Sequence, residues 1–590
     1  MRSDGRPAGD LRSACGDPRQ VLALWRQFVT WEADMATTAA DTFDLVVVGS
    51  GGGGMLAGIQ AAAHGLSAVV VEKAPYFGGS TSMSGGIVWA PNNSVLREAG
   101  LPDSEDRVRA YLDATVGDDV PAARREAFVA NAPAMVEVLR RKTPLRMVYT
   151  DGYSDYYPEA PGGSARGRGI DAAPFDARML GPERQHLHPS PVEMPFPMVV
   201  GGADLHWMNV ATHSMRGMST GAKAVTRALA GRTVGREYVG LGQALAAGLR
   251  VGLQRAGVPL WLQTPMVGLE TTGSRVSGVR VRGPAGERTL RARRGVILTA
   301  GGFEHNMTLR RQYQPGVADD AWSAGNAYNT GDAITAGVEV GAGLDLMDQA
   351  WWFPTTLIPD APPPLVIAER TLPGSYIVNG HGRRFFNEAV PYMEAGQIIF
   401  DRHTETDPHI PCWLIFDQRF RNRYPFTTLL PRQAFPQSWY RAGIVVKEPS
   451  LAALAAAIHV PPDELAATND RFTMLASHGH DDDFGRGNSA YDRYYGDPTV
   501  FPNPCLGVVN RPPFYAVQIV PGDIGTCGGL RADEHARVLR DDGSVIDGLY
   551  AAGNASASAM GKSYPGPGGT IGPAMVFAYA AVEHAARAAV

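Results

Sequence analysis

Cysteine is scarce in this 590-residue chain: Cys15, Cys412, Cys505 and Cys527 are the only four, scattered without a C-x-x-C pair or a metal-ligand spacing. A disulfide framework is therefore excluded as a source of stability, and free thiols in a reducing compartment are expected, with the cytoplasm as the default location. Long apolar runs are missing too; none reaches the roughly 18 residues that a spanning helix needs. No excess of positive charge exists, since 54 Lys and Arg stand against 59 Asp and Glu for a net charge of -5, so there is no electrostatic case for nucleic acid. Internal repeats at solenoid periods are absent. The tracts "HLHP" (186–189) and "HGHDDD" (478–483) have no second cluster to complete a metal shell, so both are expected to be solvated loops and no metal is expected. The first 40 residues hold one short apolar patch, "VLALWRQFV", broken by Arg26, and lack a secretory h-region. With a second possible start at Met35, residues 1–41 are expected to be a poorly ordered extension.

What the chain does have is glycine, 69 residues of it, spread with 44 prolines among apolar runs rather than gathered into repeats. At this length two or three domains are expected. The run 43–86, "FDLVVVGSGGGGMLAGIQAAAHGLSAVVVEKAPYFGGSTSMSGG", reads as strand, tight turn, helix and strand. Gly49, Gly51 and Gly54 stand in G-x-G-x-x-G register after the β-branched "LVVV". The first permits the turn, the second (with Gly52) lets backbone approach a pyrophosphate, and the third lets helix pack on strand. Glu72 closes the next strand, 23 residues after Gly49, where a carboxylate can accept hydrogen bonds from a ribose, and Lys73 follows it.

That fingerprint fits NAD or FAD. The stretch 78–86 adds Gly79, Ser80, Thr81, Ser84, Gly85 and Gly86, small groups suited to a long cofactor lying flat across a sheet edge. Far downstream, "GVILTAGGFEHN" (295–306) and "GLYAAGNASA" (548–557) are further short strands ending in glycine turns. A return strand that reaches the cofactor so late suits a flavoprotein, whose reactive ring lies far from its adenine, so FAD is the expected cofactor. Ala300, Gly301, Asp332, Gly553, Asn554, Gly569, Thr570 and Ile571 join the candidate cofactor residues, with the N-terminus of the last helix directed at the ring carbonyls. The fold class expected is α/β: a Rossmann-like, discontinuous FAD-binding domain (42–336, with an insertion at about 160–235, and 526–590) enclosing an α+β substrate domain (337–525). Within the first part, 239–282 reads as a helix followed by short alternating strands.

Five further motifs, "SDYYPE" (154–159), "DLMDQAWW" (345–352), "RRFFNEAVPY" (383–392), "YDRYYGDP" (491–498) and "YPGPGGTIGPAM" (564–575), occur in an order that resembles the fumarate reductase and succinate dehydrogenase flavoproteins, and the 3-ketosteroid Δ1-dehydrogenases in particular. The resemblance runs from about Phe43 to the end of the chain. It implies a FAD enzyme that introduces a C1–C2 double bond beside the C3 ketone of a steroid. Such a desaturation requires a base, a hydride acceptor and donors to the ketone oxygen. The motifs place the base at Tyr392, supported by Tyr156, with Tyr153 or Tyr157 as rival neighbours. They place the ketone donors at the Tyr564 hydroxyl and the Gly568 N–H, with hydride passing to flavin N5. A free tyrosine titrates near about 10, so a phenolate needs surroundings that favour it, and an alkaline optimum follows. Trp351, Trp352 and Phe353 read as an apolar wall, with Trp352 and Phe353 as candidate substrate contacts.

The segment 160–235 departs from the compact members of that family. It reads as a structural excursion or, through "PSPVEMPFPMVVGGADLHWMNVATHSMRGMS" (189–219), as a surface resting on a membrane. Cys527 in "GTCGG" stands where a basic residue is expected. Expected partners are a 3-ketosteroid and a quinone or other electron acceptor. The competing activities are a 3-ketosteroid Δ4-(5α)-dehydrogenase and a soluble fumarate reductase, whose dicarboxylate would call for clamping arginines such as Arg383 and Arg384.

Overall fold

A computed structural model describes residues 41–190, 197–284, 286–317 and 319–588. The expected extension 1–41 and part of the candidate membrane segment, 191–196, thus fall almost wholly or in part outside the described residues.

The β-branched run Thr42–Val48 forms the first strand, and Ala68–Val71 pairs parallel to it, Val46 opposite Val69. Gly286–Leu298 pairs parallel on its other side, and Val545–Ala551 lies parallel beyond that. The sheet runs Arg537–Leu539, Val545–Ala551, Gly286–Leu298, Thr42–Val48, Ala68–Val71, Leu260–Trp261. Strands from both ends of the chain therefore share one sheet, with Val545–Ala551 as the late return strand. Val46, Val47, Val69 and Val70 are fully buried, as a parallel sheet covered on both faces requires. The helix Gly52–Ala63 follows the first strand, and the last helix, Ile571–Arg587, packs beside it. The stretch 239–282 folds as read, into the helix Leu241–Arg255 and the strands Leu260–Trp261, Met266–Thr272 and Arg275–Gly283.

A second sheet of five strands is built from Ala350–Thr355, Ser375–Val378, Cys412–Asp417, Val445–Glu448 and Phe514–Thr526, all pairings antiparallel. A third, small antiparallel sheet places Ile87–Trp89 beside Gly169–Ala172 and Met147–Tyr149. The candidate site lies where these three sheets meet. Among the described residues no helix is long and apolar enough to cross a membrane.

The segment 160–235 is more than an excursion. It supplies the central strand of the small sheet and the helix Met215–Thr233, and it reaches the central cavity through Leu205 and Asn209.

Candidate active site

The glycine turn shows why the third glycine matters. A Cβ on Gly54 would sit 1.9 Å from the Gly49 carbonyl oxygen, so only glycine lets this helix start so close to the strand. Gly51, by contrast, has only Thr81 Oγ1 near a would-be Cβ, at 3.9 Å, and its open side faces a cavity of about 800 Å³. Glu72 lines the same cavity while its carboxylate accepts from Ser50 N (3.0 Å), Ser50 Oγ (2.8 Å) and Ala74 N (2.9 Å). A carboxylate has roughly four acceptor positions, so one remains for a ribose hydroxyl. Lys73 donates to Asp332 Oδ2 and Thr330 Oγ1, each at 2.6 Å.

Every candidate cofactor residue lines this cavity except two. Gly54 acts inside the helix–strand contact, and Gly569 faces a separate small void behind the final helix. The backbone N–H groups of the glycine turn, the carboxylate at the strand end and the N-terminus of the 17-residue closing helix thus fit an elongated, negatively charged dinucleotide.

At the far end of the cavity stand three buried tyrosines. Tyr156 stacks on Tyr564 with centroids 5.1 Å apart, Tyr392 meets Tyr564 edge-on at 5.2 Å, and Tyr156 meets Tyr392 at 5.5 Å. Each arrives on a different stretch of chain, Tyr156 and Tyr564 on loops and Tyr392 on a helix. Tyr392 is the first residue of the helix Tyr392–Asp401, with Pro391 at the N-cap position. That helix packs on the strand Ala350–Thr355 through Gly396, where a Cβ would come within 2.7 Å of Trp352 Cβ. Tyr156 is held by its own N–H, which donates to the Pro565 carbonyl at 3.0 Å. Its neighbour Asp155 is fully buried, accepts from Trp89 Nε1 at 2.9 Å and pairs with Arg168. Burial raises the Asp155 carboxyl to about 6 against the pull of Arg168. The motif "SDYYPE" therefore carries a structural ion pair that the sequence did not reveal.

Gly568 belongs to the same strap. Its φ is +88°, and a Cβ would lie 2.2 Å from the Ile87 carbonyl oxygen. Its carbonyl accepts from Trp89 N (3.2 Å) and Gly572 N (2.9 Å), while among the described residues no acceptor takes its own N–H. Gly568, Tyr156, Tyr392 and Tyr564 all line the cavity. Of the rival neighbours of Tyr156, Tyr153 makes a hydroxyl contact with it at 3.3 Å and a second with Tyr495 at 2.7 Å.

Burial is the largest effect on these phenols, and it raises all three. For Tyr392 the adjacent Tyr564 raises it further, while a hydrogen bond from Tyr156 pulls it down. Tyr564 is pulled down by Thr570 and Tyr392.

The apolar wall needs a correction. Strand alternation in Ala350–Thr355 turns Trp351 to the cavity, edge-on to Tyr564 at 5.2 Å, with its Nε1 donating to Asn554 Oδ1 at 3.2 Å. Trp352 points to the opposite face and stacks on Phe400 at 4.6 Å. Phe353 is buried in the packed interior, and neither Trp352 nor Phe353 lines the cavity. The mouth is instead apolar through Ile358, Pro362, Pro363, Leu365, Trp439 and Leu205. Apolar residues scattered over loops and the short helices Leu205–Met208 and Gln437–Arg441 carry no sequence signal of a site.

Arg383 and Arg384 do not face the cavity. Arg383 pairs with Glu464 at the surface, and buried Arg384 pairs with Glu388 (2.7 Å) and Asp481 (2.9 Å). Asp481 corrects a second reading: in "HGHDDD" it is a buried ion-pair partner, while His480 and Asp482 are exposed. Cys412, Cys505 and Cys527 are buried free thiols, and Cys15 lies outside the described residues.

Comparison with known proteins adds the family. Residues 44–571 match the family model described as FAD binding domain. A 3-oxosteroid 1-dehydrogenase of Mycobacterium tuberculosis is 49% identical over 553 residues, 92% of this chain and 98% of that protein. One from Mycolicibacterium smegmatis is 48% identical over 557 residues, 93% and 98%. The crystal structure of 3-ketosteroid Δ1-dehydrogenase from Sterolibacterium denitrificans in complex with 1,4-androstadiene-3,17-dione superposes with a TM-score of 0.88 at 41% identity, covering 93% of this chain and 100% of that one. The chain is therefore a member of the FAD-binding flavoprotein family and, within it, of the 3-oxosteroid 1-dehydrogenases.

Proposed function

We propose that the protein desaturates the C1–C2 bond of 3-ketosteroids, with Tyr392 as base, Tyr156 as its supporting hydroxyl, and Tyr564 with Gly568 as donors to the C3 ketone. One observation carries this reading. Three phenols from three separate segments of the chain and one unclaimed backbone N–H converge on the end of a cavity whose other end fits a dinucleotide. FAD, when bound, supplies the acceptor for the hydride leaving C1.

The chain's own groups do the rest. The ketone oxygen gains negative charge as the C2 proton leaves, and the Tyr564 Oη and the Gly568 N–H donate to it. Tyr392 Oη receives the proton, and its contact with Tyr156 favours the charged phenol that must exist beforehand. Burial opposes that charge, so the rate rises with pH toward the alkaline side. Trp351 and the apolar mouth exclude water from a flat, apolar ligand. The pairing of Arg383 and Arg384 away from the cavity argues against a dicarboxylate clamp.

In this reading the chain divides at about 336 and 525 into a discontinuous cofactor domain and a substrate domain. It works in the cytoplasm or at a membrane surface and passes electrons to a quinone or similar carrier. The helix Met215–Thr233 exposes Met215 (85%) and Met218 (50%) beside Arg216, a face suited to an anionic lipid interface. Retention of the protein in the supernatant with anionic vesicles at low salt would refute that contact.

The test of the activity is turnover of androst-4-ene-3,17-dione with a dye acceptor. Loss of two hydrogens and the ultraviolet spectrum of a 1,4-dien-3-one are expected. No product, or desaturation at C4–C5 rather than C1–C2 when 5α-androstane-3,17-dione is the substrate, would overturn the reading.

A further inference from the structure

Arg124 stands in the first turn of the helix Ala122–Lys142 and is 4% exposed. Its Nη1 donates to the Ala557 carbonyl at 3.1 Å, its guanidinium lies 4.8 Å over the Phe577 ring, and its Nε has no acceptor. Among the described residues it forms no salt bridge; Asp533 and Asp345 act on it only through space. Burial lowers the guanidinium to about 10, which leaves it charged at neutral pH. An unpaired buried charge is costly. Packing alone would be served better by an apolar side chain.

The surroundings indicate what the charge faces. Arg124 lines a void of about 20 Å³, room for a single water molecule. Trp351, Gly553, Asn554, Thr570 and Ala574 line both this void and the large cavity, so a wall one residue thick separates the guanidinium from the cavity. Thr570 and Ala574 belong to the cap and first turn of the closing helix, whose N-terminus carries its own partial positive charge. Pro573 and Phe577 of that helix face the void as well.

We propose that Arg124 is a positioning residue for the cofactor's electronics: a fixed cation behind the Asn554–Thr570 wall that reinforces the positive end of the closing helix and favours the reduced, more negatively charged form of FAD. The proposal rests on the reading above, in which the ring end of FAD lies against this wall. It makes desaturation easier by raising the cofactor's appetite for electrons without touching substrate.

The experiment is the midpoint potential of the FAD-loaded enzyme, measured without steroid by dye-equilibrated reduction, for the parent and for R124K, R124Q and R124M. The expected result is a fall in R124M and R124Q by at least tenfold in the two-electron equilibrium, about 30 mV. R124K should stay near the parent, and R124M should keep its FAD and its Tm. A merely structural arginine predicts lost FAD or lowered Tm at unchanged potential. The proposal is overturned by an unchanged potential in R124M at full FAD occupancy, by R124K moving as far as R124M, or by both neutral variants failing to hold FAD. Steroid turnover by the parent keeps the two readings apart: a parent that desaturates steroid while R124M shows no shift refutes only the role of Arg124. A parent inert toward ketosteroids refutes the reaction but leaves the potentials interpretable.

Discussion

Replacing Gly568 by alanine should slow reduction of the cofactor far more than it destabilises the fold. An L-residue in the left-handed region costs about 1–2 kcal/mol, and the native φ of +88° lies there. The new methyl would also meet the Ile87 carbonyl oxygen at 2.2 Å, a contact with backbone that no side-chain rotation can relieve. The strap must therefore shift, and it carries both proposed ketone donors, the Gly568 N–H and Tyr564. Loss of one such donor costs about 10²–10³ in rate, roughly 3–4 kcal/mol in barrier. Misplacing two groups together should reach at least the upper part of that range. Gly65→Ala is the control, because its φ is +72° but nothing lies within 4 Å of a Cβ. It carries the backbone cost alone and should leave turnover intact. The assay is anaerobic rapid mixing of FAD-loaded enzyme with saturating ketosteroid, following the visible flavin absorbance. A Gly568→Ala enzyme that retains FAD and is reduced within a factor of about 3 of the parent would refute the donor role, since even one lost donor should exceed that.

Three other outcomes follow from the geometry. Tyr156→Phe removes the hydroxyl that lowers Tyr392, so the rising limb of the rate–pH profile should move to higher pH, with steroid affinity little changed; an unmoved limb would disconnect the two residues. Trp351→Ala should weaken steroid binding by about tenfold, ~1.4 kcal/mol, whereas Trp352→Ala should leave binding alone and cost about 3–5 kcal/mol of stability; the reverse pattern would contradict the strand alternation. Glu304 is buried, accepts from Asn329 at 2.6 Å, and is raised to about 7 by burial first and by Asp523 second. A carboxyl raised on folding lends stability below its unfolded value that is lost as pH climbs through the folded one. Glu304→Gln should therefore flatten the fall in Tm between about pH 4.5 and 7 and stabilise the alkaline side by up to about 3 kcal/mol; identical Tm–pH curves would contradict it.

The dinucleotide half was legible because its chemistry is backbone chemistry. A strand of β-branched residues, glycines at fixed offsets and a terminal carboxylate leave a local pattern, and Gly54 packs as that pattern requires. The tyrosine end was reached only through motif order. Tyr156, Tyr392 and Tyr564 lie 408 positions apart from first to last in the chain, and nothing local marks them as neighbours. The Trp352 error has a simple cause. Three consecutive aromatics read as one wall, although a strand sends alternate residues to opposite faces: Trp352 turns away from Trp351, and Phe353, on the Trp351 side, is taken up by the packed core instead of the cavity. Asp155, Asp481 and Arg124 were missed because a charged residue in sequence is read as solvated. Each is buried; Asp155 finds its partner Arg168 within the same loop region, whereas the partner of Asp481 and the void beside Arg124 come from distant parts of the chain.

In the proposed reaction the tyrosine end and the dinucleotide end of one cavity act together on a ketosteroid. Anaerobic titration of the FAD-loaded protein with androst-4-ene-3,17-dione tests it most directly. Bleaching of the flavin by the steroid is predicted for the parent, and Tyr392→Phe should abolish it while still binding the ligand. A parent whose flavin stays oxidised, or a Tyr392→Phe enzyme that bleaches at the parent's rate, would contradict the account.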